Sequence, residues 1–197
     1  MPRQENTHEK ILDTALNLLA QNGYKGTSIK DITDQVGLTK AAFYAHFKNK
    51  SQLLGTLIEA YETGYIDKLI QRVDEQTGNA IDKLHRLISF SSGVGLQYQK
   101  SAILFYSLSE DLKAGEDIEP IRLRCSRKLE AFLVDLFDQG KSQGLVRKDI
   151  DSTMLVHLTI SFSRGMFKQA VDNASRIDGM EYVRTFRKVF FQGIKAE

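Results

Sequence analysis

The 197-residue chain contains only two prolines and a single cysteine, Cys125. Proline interrupts the interior of a helix, so its scarcity favours a mostly helical chain. One cysteine excludes an internal disulfide framework and fits a reducing compartment. Cys125 lies in an apolar stripe at helical spacing, which predicts a buried small side chain rather than a redox sensor.

Long hydrophobic runs are also missing. The longest stretch without a charge covers residues 87–99, which is shorter than the ~18 residues of a membrane-spanning helix. The first ten residues, MPRQENTHEK, are polar and charged and contain no apolar core of a signal peptide. We therefore expect a soluble, cytoplasmic protein with no membrane partner.

Motifs of common enzymes and metal sites are absent as well. The sequence has no HExxH, no GxSxG and no Cys/His cluster at metal-ligand spacing. Gly93 and Gly95 lack the third glycine of a dinucleotide-binding loop. We expect no catalytic residue, no metal site and no cofactor, and the chain is not predicted to be an enzyme.

Apolar residues recur at helical spacing along the chain, and no segment alternates as a strand does. The pattern predicts an all-α protein of about nine helices, with a small N-terminal domain over residues 1–50 and a larger helical domain over 51–197. The first three predicted helices begin after the caps Thr7, Ser28 and Thr39, and a fourth extends from Lys50 to Gly78. The remaining predicted helices cover 80–99, 102–113, 118–143, 151–172 and 179–195.

Only the dipeptide Gly37-Leu38 separates the second predicted helix from the third. So short a turn brings two helices together at a steep angle, which is the helix-turn-helix arrangement. The second helix of such a pair fits the major groove of DNA, while surrounding groups contact phosphates. Phe43 and Phe47 lie one turn apart and are predicted core residues.

Charge is distributed unevenly along the chain. Residues 1–50 hold seven Lys and Arg against five Asp and Glu, whereas residues 51–197 hold 20 of each, so the net charge of +2 lies in the first fifty residues. No carboxylate occurs between Asp34 and Glu59, as suits a surface close to phosphates. A solvated basic loop is the alternative interpretation of the charge pattern alone.

The run ILDTALNLLAQNGYKGTSIKDITDQVGLTKAAFYAHFKNKSQLL resembles the DNA-binding domain of the TetR family of bacterial transcription regulators. The shared features are Gly23-Tyr24 after the first helix, the Gly37-Leu38-Thr39 turn, and Tyr44-Ala45-His46-Phe47 with Lys50 shortly after. They occur in order over residues 7–57, under a third of the chain. The remainder resembles the family only in length and helical character.

The resemblance implies two groups of DNA-contacting residues. Phosphate contacts are implied for Thr39, Tyr44, His46 and Lys50, with Thr27 as a further candidate, and base-edge contacts for Lys40, Ala41, Ala42 and Ala45. Ser28 and Lys48 complete the predicted set. Lys40 is the one long side chain of the base-reading face, which suits a contact to guanine. The alternatives are that Tyr44 packs on the third helix and that His46 is an ordinary surface histidine.

The C-terminal domain is large enough to hold a ligand cavity between its helices. A plain aromatic core is the alternative for its aromatic residues, and an intramolecular ion pair is the alternative for Arg164. The candidate pocket residues are Tyr61, Tyr65, Phe90, Tyr98, Phe105, Tyr106, Phe132, Phe162, Arg164 and Phe167.

The last two predicted helices are apolar on two sides, which indicates burial on two sides. The resemblance implies that they form a homodimer interface, and a thick monomer core is the alternative. The candidate interface residues are Val156, Ile160, Val171, Tyr182 and Val189.

Three functions are compatible with these observations. The leading hypothesis is a homodimeric repressor that binds a pseudo-palindromic operator in double-stranded DNA and is released by a small-molecule effector. The second is an architectural DNA-binding protein that has no ligand. The third is a helical ligand carrier or enzyme with a vestigial N-terminal domain.

Overall fold

The computed structural model describes residues 2–108, 118–172 and 178–196, without the side chains of 2–6, 91–97 and 167–172. Within these residues the chain is all-α with nine helices, as predicted. They are α1 (Pro2–Asn22), α2 (Ile29–Val36), α3 (Lys40–Tyr44), α4 (Lys50–Tyr61), α5 (Asp67–Asp74), α6 (Ala80–Ser107), α7 (Glu119–Ser142), α8 (Ser152–Asp172) and α9 (Gly179–Ile194). A π-helical turn, Glu62–Ile66, joins α4 directly to α5.

Three predicted boundaries are wrong: the start after Thr7, the end at residue 99 and the start at residue 102. Thr7 lies inside α1, which begins at Pro2, because proline is well suited to the first turn of a helix. The break predicted near residue 100 does not occur, since Lys100 and Ser101 are no obstacle to a helix and α6 continues to Ser107. The end of the helix predicted over 102–113 lies outside the described residues.

The single helix predicted from Lys50 to Gly78 is interrupted. Its two α-helical parts, α4 and α5, are separated by the π turn, in which each backbone bond spans one residue more than in an α-helix. The apolar pattern continues on both sides of this turn: Tyr61, Tyr65 and Leu69 are all buried. An interruption of this kind leaves no gap in the hydrophobic periodicity.

The boundaries of α2 are those predicted from its caps. The Ser28 hydroxyl accepts a hydrogen bond from the Asp31 amide at 3.1 Å, and the Asp31 carboxylate accepts one from the Ser28 amide at 2.8 Å. This reciprocal pair lowers the pKa of Asp31, with the bond from the Ser28 backbone as the main cause. At the other end Gly37 adopts φ = 77°, the left-handed conformation that glycine reaches without strain.

The chain divides into two compact units. The first runs to Thr63 and includes Lys100–Cys125, and the second combines Gly64–Gln99 with the residues from Ser126 onward. In the first unit α1 packs against α2 and α4, and α2 packs against α3. Its core includes Ile11, Leu19, Ile32, Phe43, Leu53, Leu54 and Ile58, while that of the second includes Leu69, Val73, Leu84, Leu133, Phe137, Val146 and Leu155.

The functional boundary predicted at residue 50 stays a prediction. Cys125 is 1% exposed, which confirms its predicted burial. Among the described residues, no helix combines the length and the apolar character needed to cross a membrane.

Candidate DNA-binding surface

The turn between α2 and α3 is closed by backbone and side-chain bonds. The Leu38 amide donates to the Thr33 carbonyl at 2.9 Å, which ends α2. The Thr39 hydroxyl accepts from the Ala42 amide at 3.2 Å and caps α3. Two consecutive caps therefore fix where one helix stops and the next begins, as the helix-turn-helix prediction requires.

Aromatic residues anchor the inner side of α3 and of the turn that follows it. Phe43 is fully buried and Phe47 is 2% exposed, and their ring centroids lie 5.7 Å apart. This confirms their predicted place in the core. Because both rings point inward, they fix which side of α3 faces solvent.

The outer side of α3 carries the residues predicted to face DNA. Lys40, Ala41 and Ala45 are exposed, Ala42 is half-buried, and Tyr44 is 53% exposed. Tyr44 meets Phe43 edge-on at 5.6 Å but leaves half of its surface in solvent, so it is not a core residue. The structure therefore brings these five residues together on one accessible surface.

Other predicted contact residues surround this surface. Ser28, Thr39 and Lys48 are exposed, although the Ser28 hydroxyl already serves the cap of α2. The Lys48 amide donates to the Gln52 side chain at 2.6 Å, which leaves the Lys48 ammonium outside that bond.

His46 is half-buried beside α1. Its ring lies 5.8 Å from that of His8, which stacks on Phe47 at 4.8 Å. The ring of His46 is thus held against α1 and not fully presented to solvent.

Two of the predicted phosphate contacts are engaged within the protein. Thr27 is 1% exposed, and its hydroxyl donates to the Gly23 carbonyl at 3.0 Å. The Lys50 ammonium donates to the carbonyl oxygens of Tyr24 at 2.6 Å and Thr27 at 2.8 Å. It also lies 3.8 Å from the centroid of the Tyr24 ring.

These contacts join the start of α4 to the turn between α1 and α2, together with a hydrogen bond of 3.1 Å between the hydroxyls of Tyr24 and Ser51. Sequence reasoning assigned no role to Ser51 and none to Tyr24 beyond its place in the motif. The available signal was Tyr24 itself, an aromatic residue in a short polar turn.

The carboxylates closest to this surface in sequence are paired on α2. The Lys30 ammonium contacts the Asp34 carboxylate at 2.5 Å, which raises the pKa of Lys30 mainly through that hydrogen bond. Asp31 is held in the cap of α2. From Gln35 to Ile58 no further carboxylate occurs, so the exposed residues of α3 lie in a segment without negative side chains.

The candidate pocket residues differ widely in exposure. Tyr61, Tyr65 and Phe105 are buried, whereas Arg164 is exposed. In the first unit Tyr61 lies 5.2 Å from Phe105. In the second, Tyr65 lies 5.5 Å from Tyr98. The others, Phe90, Tyr106, Phe132 and Phe162, are half-buried, and the side chain of Phe167 lies outside the described residues. Their role as a pocket stays a prediction.

The candidate interface residues of α8 and α9 also differ. Val156 is 1% exposed and packs within the chain, while Val189 is 65% exposed. Ile160 and Tyr182 are half-buried, and the side chain of Val171 lies outside the described residues. Phe162 stacks on Phe186 at 3.4 Å, so this predicted pocket residue packs between α8 and α9.

Comparison with known proteins agrees with the helix-turn-helix geometry. Residues 11–57 match the family described as bacterial regulatory proteins, tetR family. The biofilm operon icaADBC HTH-type negative transcriptional regulator IcaR of Staphylococcus epidermidis is 28% identical over 162 residues, 82% of this chain and 85% of that protein.

Two solved structures share the whole fold. The MbdR regulator from Azoarcus sp. CIB superposes with a TM-score of 0.87 at 26% identity, over 95% of this chain and 98% of that one. AibR, solved in complex with isovaleryl coenzyme A and operator DNA, gives a TM-score of 0.82 at 24% identity, over 94% and 98% of the two chains. With its capped turn and exposed α3, the N-terminal part of the chain matches the tetR family of bacterial regulatory proteins over residues 11–57, and the chain as a whole is similar to such regulators in sequence and fold.

Proposed function

We propose that the chain is a transcriptional repressor that binds operator DNA as a homodimer and leaves it when a small molecule binds among the C-terminal helices. One observation carries the proposal: α3 and the residues directly after it bury Phe43 and Phe47 while they expose Lys40, Ala41, Tyr44 and Ala45 on the other side. An exposed helix of this kind, set on a capped turn, suits the major groove of DNA. The relation to IcaR, a negative regulator, favours repression.

The exposed residues divide into base and phosphate contacts. Lys40 has the reach and the donors to contact a guanine edge, and Ala41, Ala42 and Ala45 allow close approach to thymine methyl groups. Thr39, Tyr44 and Lys48, which are exposed beside them, are the proposed phosphate contacts, with His46 and Ser28 at the margin. Because the face has few hydrogen-bonding groups, part of the specificity comes from DNA shape.

Thr27 and Lys50 act on DNA indirectly. Their polar groups bind the turn between α1 and α2, so they position the helix-turn-helix rather than bind phosphate with those groups. A change at Lys50 then weakens binding to every sequence by the same factor, as a lost phosphate contact would, but it also destabilises the fold.

The homodimer places two α3 helices in successive major grooves, about 34 Å apart. Exposed apolar side chains of α8 and α9 supply a surface for the partner: Met154, Leu158, Met180 and Val189 are each more than half exposed. Binding of an effector then needs to change the operator affinity by only ~1–3 kcal/mol to release the DNA. AibR, whose structure holds both a ligand and operator DNA, supports a ligand of this kind.

The test is a titration of labelled promoter fragments at several salt concentrations, followed by fluorescence anisotropy. We expect one fragment to bind far more tightly than random DNA, and its affinity to fall steeply with salt as counterions are released. No sequence preference, or a flat salt dependence, would refute the proposal. A preferred fragment that no extract of metabolites releases would favour the architectural alternative.

Two lysine variants test the division of contacts. Lys40→Ala should lower affinity for the best site by about 1–3 kcal/mol and relax the preference at one base pair of each half-site. Lys48→Ala should weaken binding to all sequences and reduce the salt slope by about 1. Identical behaviour of the two variants would show that the division is wrong.

A further inference from the structure

A groove of about 540 Å³ lies in the second unit, between the start of α6, the loop after α7 and the end of α9. Its cationic side chains are Arg187, Lys188 and Lys195, and its apolar side chains include Ile81, Leu145 and Phe191. We call it the basic groove. None of the aromatic residues predicted as a ligand pocket lines it, so it is a different place in the fold.

The groove has a positive charge that no lining residue balances. No carboxylate is among its lining residues, and in the described part of the chain none of its three cations forms an ion pair. Two carboxylates outside the lining are engaged elsewhere: Asp149 is paired with Arg147 at 2.5 Å, and Asp82 accepts a hydrogen bond from the Asn79 amide at 3.1 Å. Three like charges close together attract an anion, since an anion relieves their mutual repulsion.

One wall of the groove is flat and uncharged. The His85 ring stacks on Phe191 with 3.6 Å between their centroids. Arg187 lies 3.1 Å from His85 Nδ1 and donates to the Ser89 hydroxyl at 3.1 Å. Arginine can only donate, so Nδ1 accepts the bond and a neutral His85 carries its proton on Nε2. Burial, and then the charge of Arg187, lowers the pKa of His85, with Asp82 acting in the opposite direction.

The other walls are fixed by backbone bonds. The Arg147 amide donates to the Ile194 carbonyl at 2.9 Å, and the Ala196 amide donates to the Leu145 carbonyl at 3.2 Å. These bonds join the loop after α7 to the end of α9. The Ala80 amide, at the start of α6, donates to the Gln143 side chain at 3.0 Å. All three sides of the groove are thus joined without a ligand, and a preformed site loses less entropy on binding.

We propose that the basic groove binds a small organic anion, with a carboxylate or phosphate on Lys188 and Lys195 and a flat apolar body against Phe191 and Leu145. The volume falls within the range of about 300–1,000 Å³ that small-molecule sites occupy. The combination of a cationic rim and an apolar wall selects against both simple inorganic anions and neutral aromatics. The site does not depend on the proposed repressor function, because its residues need neither DNA nor a second subunit.

Two fluorescent probes with the same aromatic body test the proposal. Anilinonaphthalene sulfonate carries a sulfonate, and N-phenylnaphthylamine is its uncharged analogue. With the full chain at low salt, we expect Lys188→Gln combined with Lys195→Gln to lower affinity for the sulfonate probe by roughly threefold to tenfold. Affinity for the uncharged probe should change by less than about twofold, because its proposed contacts are Phe191 and Leu145, and glutamine keeps most of the lysine stem.

The matched control combines Arg184→Gln with Lys148→Gln, which removes the same charge from exposed residues outside the groove. It should leave the affinity for both probes unchanged. Equal losses in the groove variant and the control would show a general charge effect and overturn the proposal. No loss in the groove variant would place the probe elsewhere and overturn it as well.

Competition then identifies the anionic group. Displacement of the sulfonate probe by 2-naphthoate would indicate a carboxylate ligand, and displacement by 2-naphthyl phosphate a phosphate ligand. Displacement by neither would overturn the proposal. None of these measurements involves DNA, so their failure would leave the repressor proposal standing, and a failed operator titration would leave the groove standing.

Discussion

At the scale of single residues, Lys50 shows how one charged side chain holds a turn in place. Its ammonium holds two carbonyl oxygens of the turn between α1 and α2 and lies over the ring of Tyr24. Hydrogen bonds from a charged donor to buried or half-buried carbonyls are stronger than neutral ones. This positive charge is therefore one of the contacts that hold the turn between α1 and α2 to the start of α4, beside the bond between Tyr24 and Ser51.

Lys50→Met keeps the length of the side chain but removes the charge. We expect a loss of about 1–3 kcal/mol in the free energy of unfolding by urea, together with weaker binding to all DNA sequences. Lys48→Met, at an exposed lysine nearby, should change stability by less than about 0.5 kcal/mol. If Lys50→Met unfolded like the wild type and lost only DNA affinity, the lysine would act on phosphate and not on the turn.

His85 predicts a pH dependence of stability. Burial and the charge of Arg187 lower its pKa in the folded chain below the ordinary 6.5. At a pH between the lowered pKa of the folded chain and the ordinary pKa of 6.5, the unfolded chain binds more protons than the folded chain. Stability therefore falls as the pH falls below 6.5 and is retained above it. Asp31, Glu119, Asp149 and Asp151 also have lowered pKa values, but their ordinary values are near 4, so they act at more acidic pH.

The measurement is urea unfolding at about pH 7.5 and about pH 5.5, on either side of the histidine range. His85→Gln should remove part of the loss of stability that the wild type shows between these two conditions. His157→Gln, at an exposed histidine of α8, should retain the wild-type difference. An unchanged difference in His85→Gln would contradict the role assigned to this ring.

At the scale of helices, the π turn between α4 and α5 is a local insertion. Thr63 within it is exposed, and its hydroxyl donates to the Glu59 carbonyl at 3.0 Å. Glu62 is 7% exposed and accepts a hydrogen bond of 2.9 Å from Arg124, which raises the pKa of that arginine. The turn thus buries Glu62, whose partner Arg124 stays exposed, while it exposes the next residue along the chain.

Deletion of Thr63 should convert the π turn into an ordinary α-helical turn. Because a π turn holds one residue more, the deletion leaves the buried faces of α4 and α5 in register, and we expect cooperative unfolding to be retained. An alanine inserted between Lys68 and Leu69 rotates Leu69 and Val73 off their buried face, at a cost of at least about 3 kcal/mol. Calorimetry compares the unfolding of the two variants. Equal losses of stability in the deletion and the insertion variants would mean that the fold requires the π turn.

Features of the fold were predictable where the residues that determine them are close together in the sequence. The ends of α2 and the start of α3 are set by Ser28, Gly37 and Thr39, whose capping chemistry is visible in a few adjacent residues. The π turn was not predictable, since apolar residues keep a helical spacing through it. For Lys50, a phosphate and a carbonyl oxygen are equally good acceptors, and only the folded turn shows which is within reach.

The basic groove was beyond sequence reasoning for a different reason. His85 and Arg187 are 102 positions apart, and no local pattern brings the start of α6 to the end of α9. The exposed side of α3 was predictable because its neighbours in space are also its neighbours in sequence. Sites built from distant helices need the fold before they can be located.

At the scale of the whole molecule, the proposed homodimer makes a direct prediction. Leu158 on α8 is 52% exposed and Val189 on α9 is 65% exposed, so a charge at either position costs little in a monomer but much inside an interface. Leu158→Glu should give a monomer by sedimentation velocity and should lose most operator affinity. Thr153→Glu, which is exposed on another side of the same helix, should remain dimeric. A wild-type monomer, or an intact Leu158→Glu dimer, would contradict the interface.

The burial of the lone cysteine has a practical consequence. Cys125 is the one thiol in the chain and is 1% exposed on α7, so a thiol reagent in excess can label the folded protein only when this part of the structure opens. The labelling rate of the unmodified protein therefore measures how often that part of the structure opens. Run with and without DNA, or with and without a candidate metabolite, it would measure how each of them tightens or loosens the interior without any engineered probe.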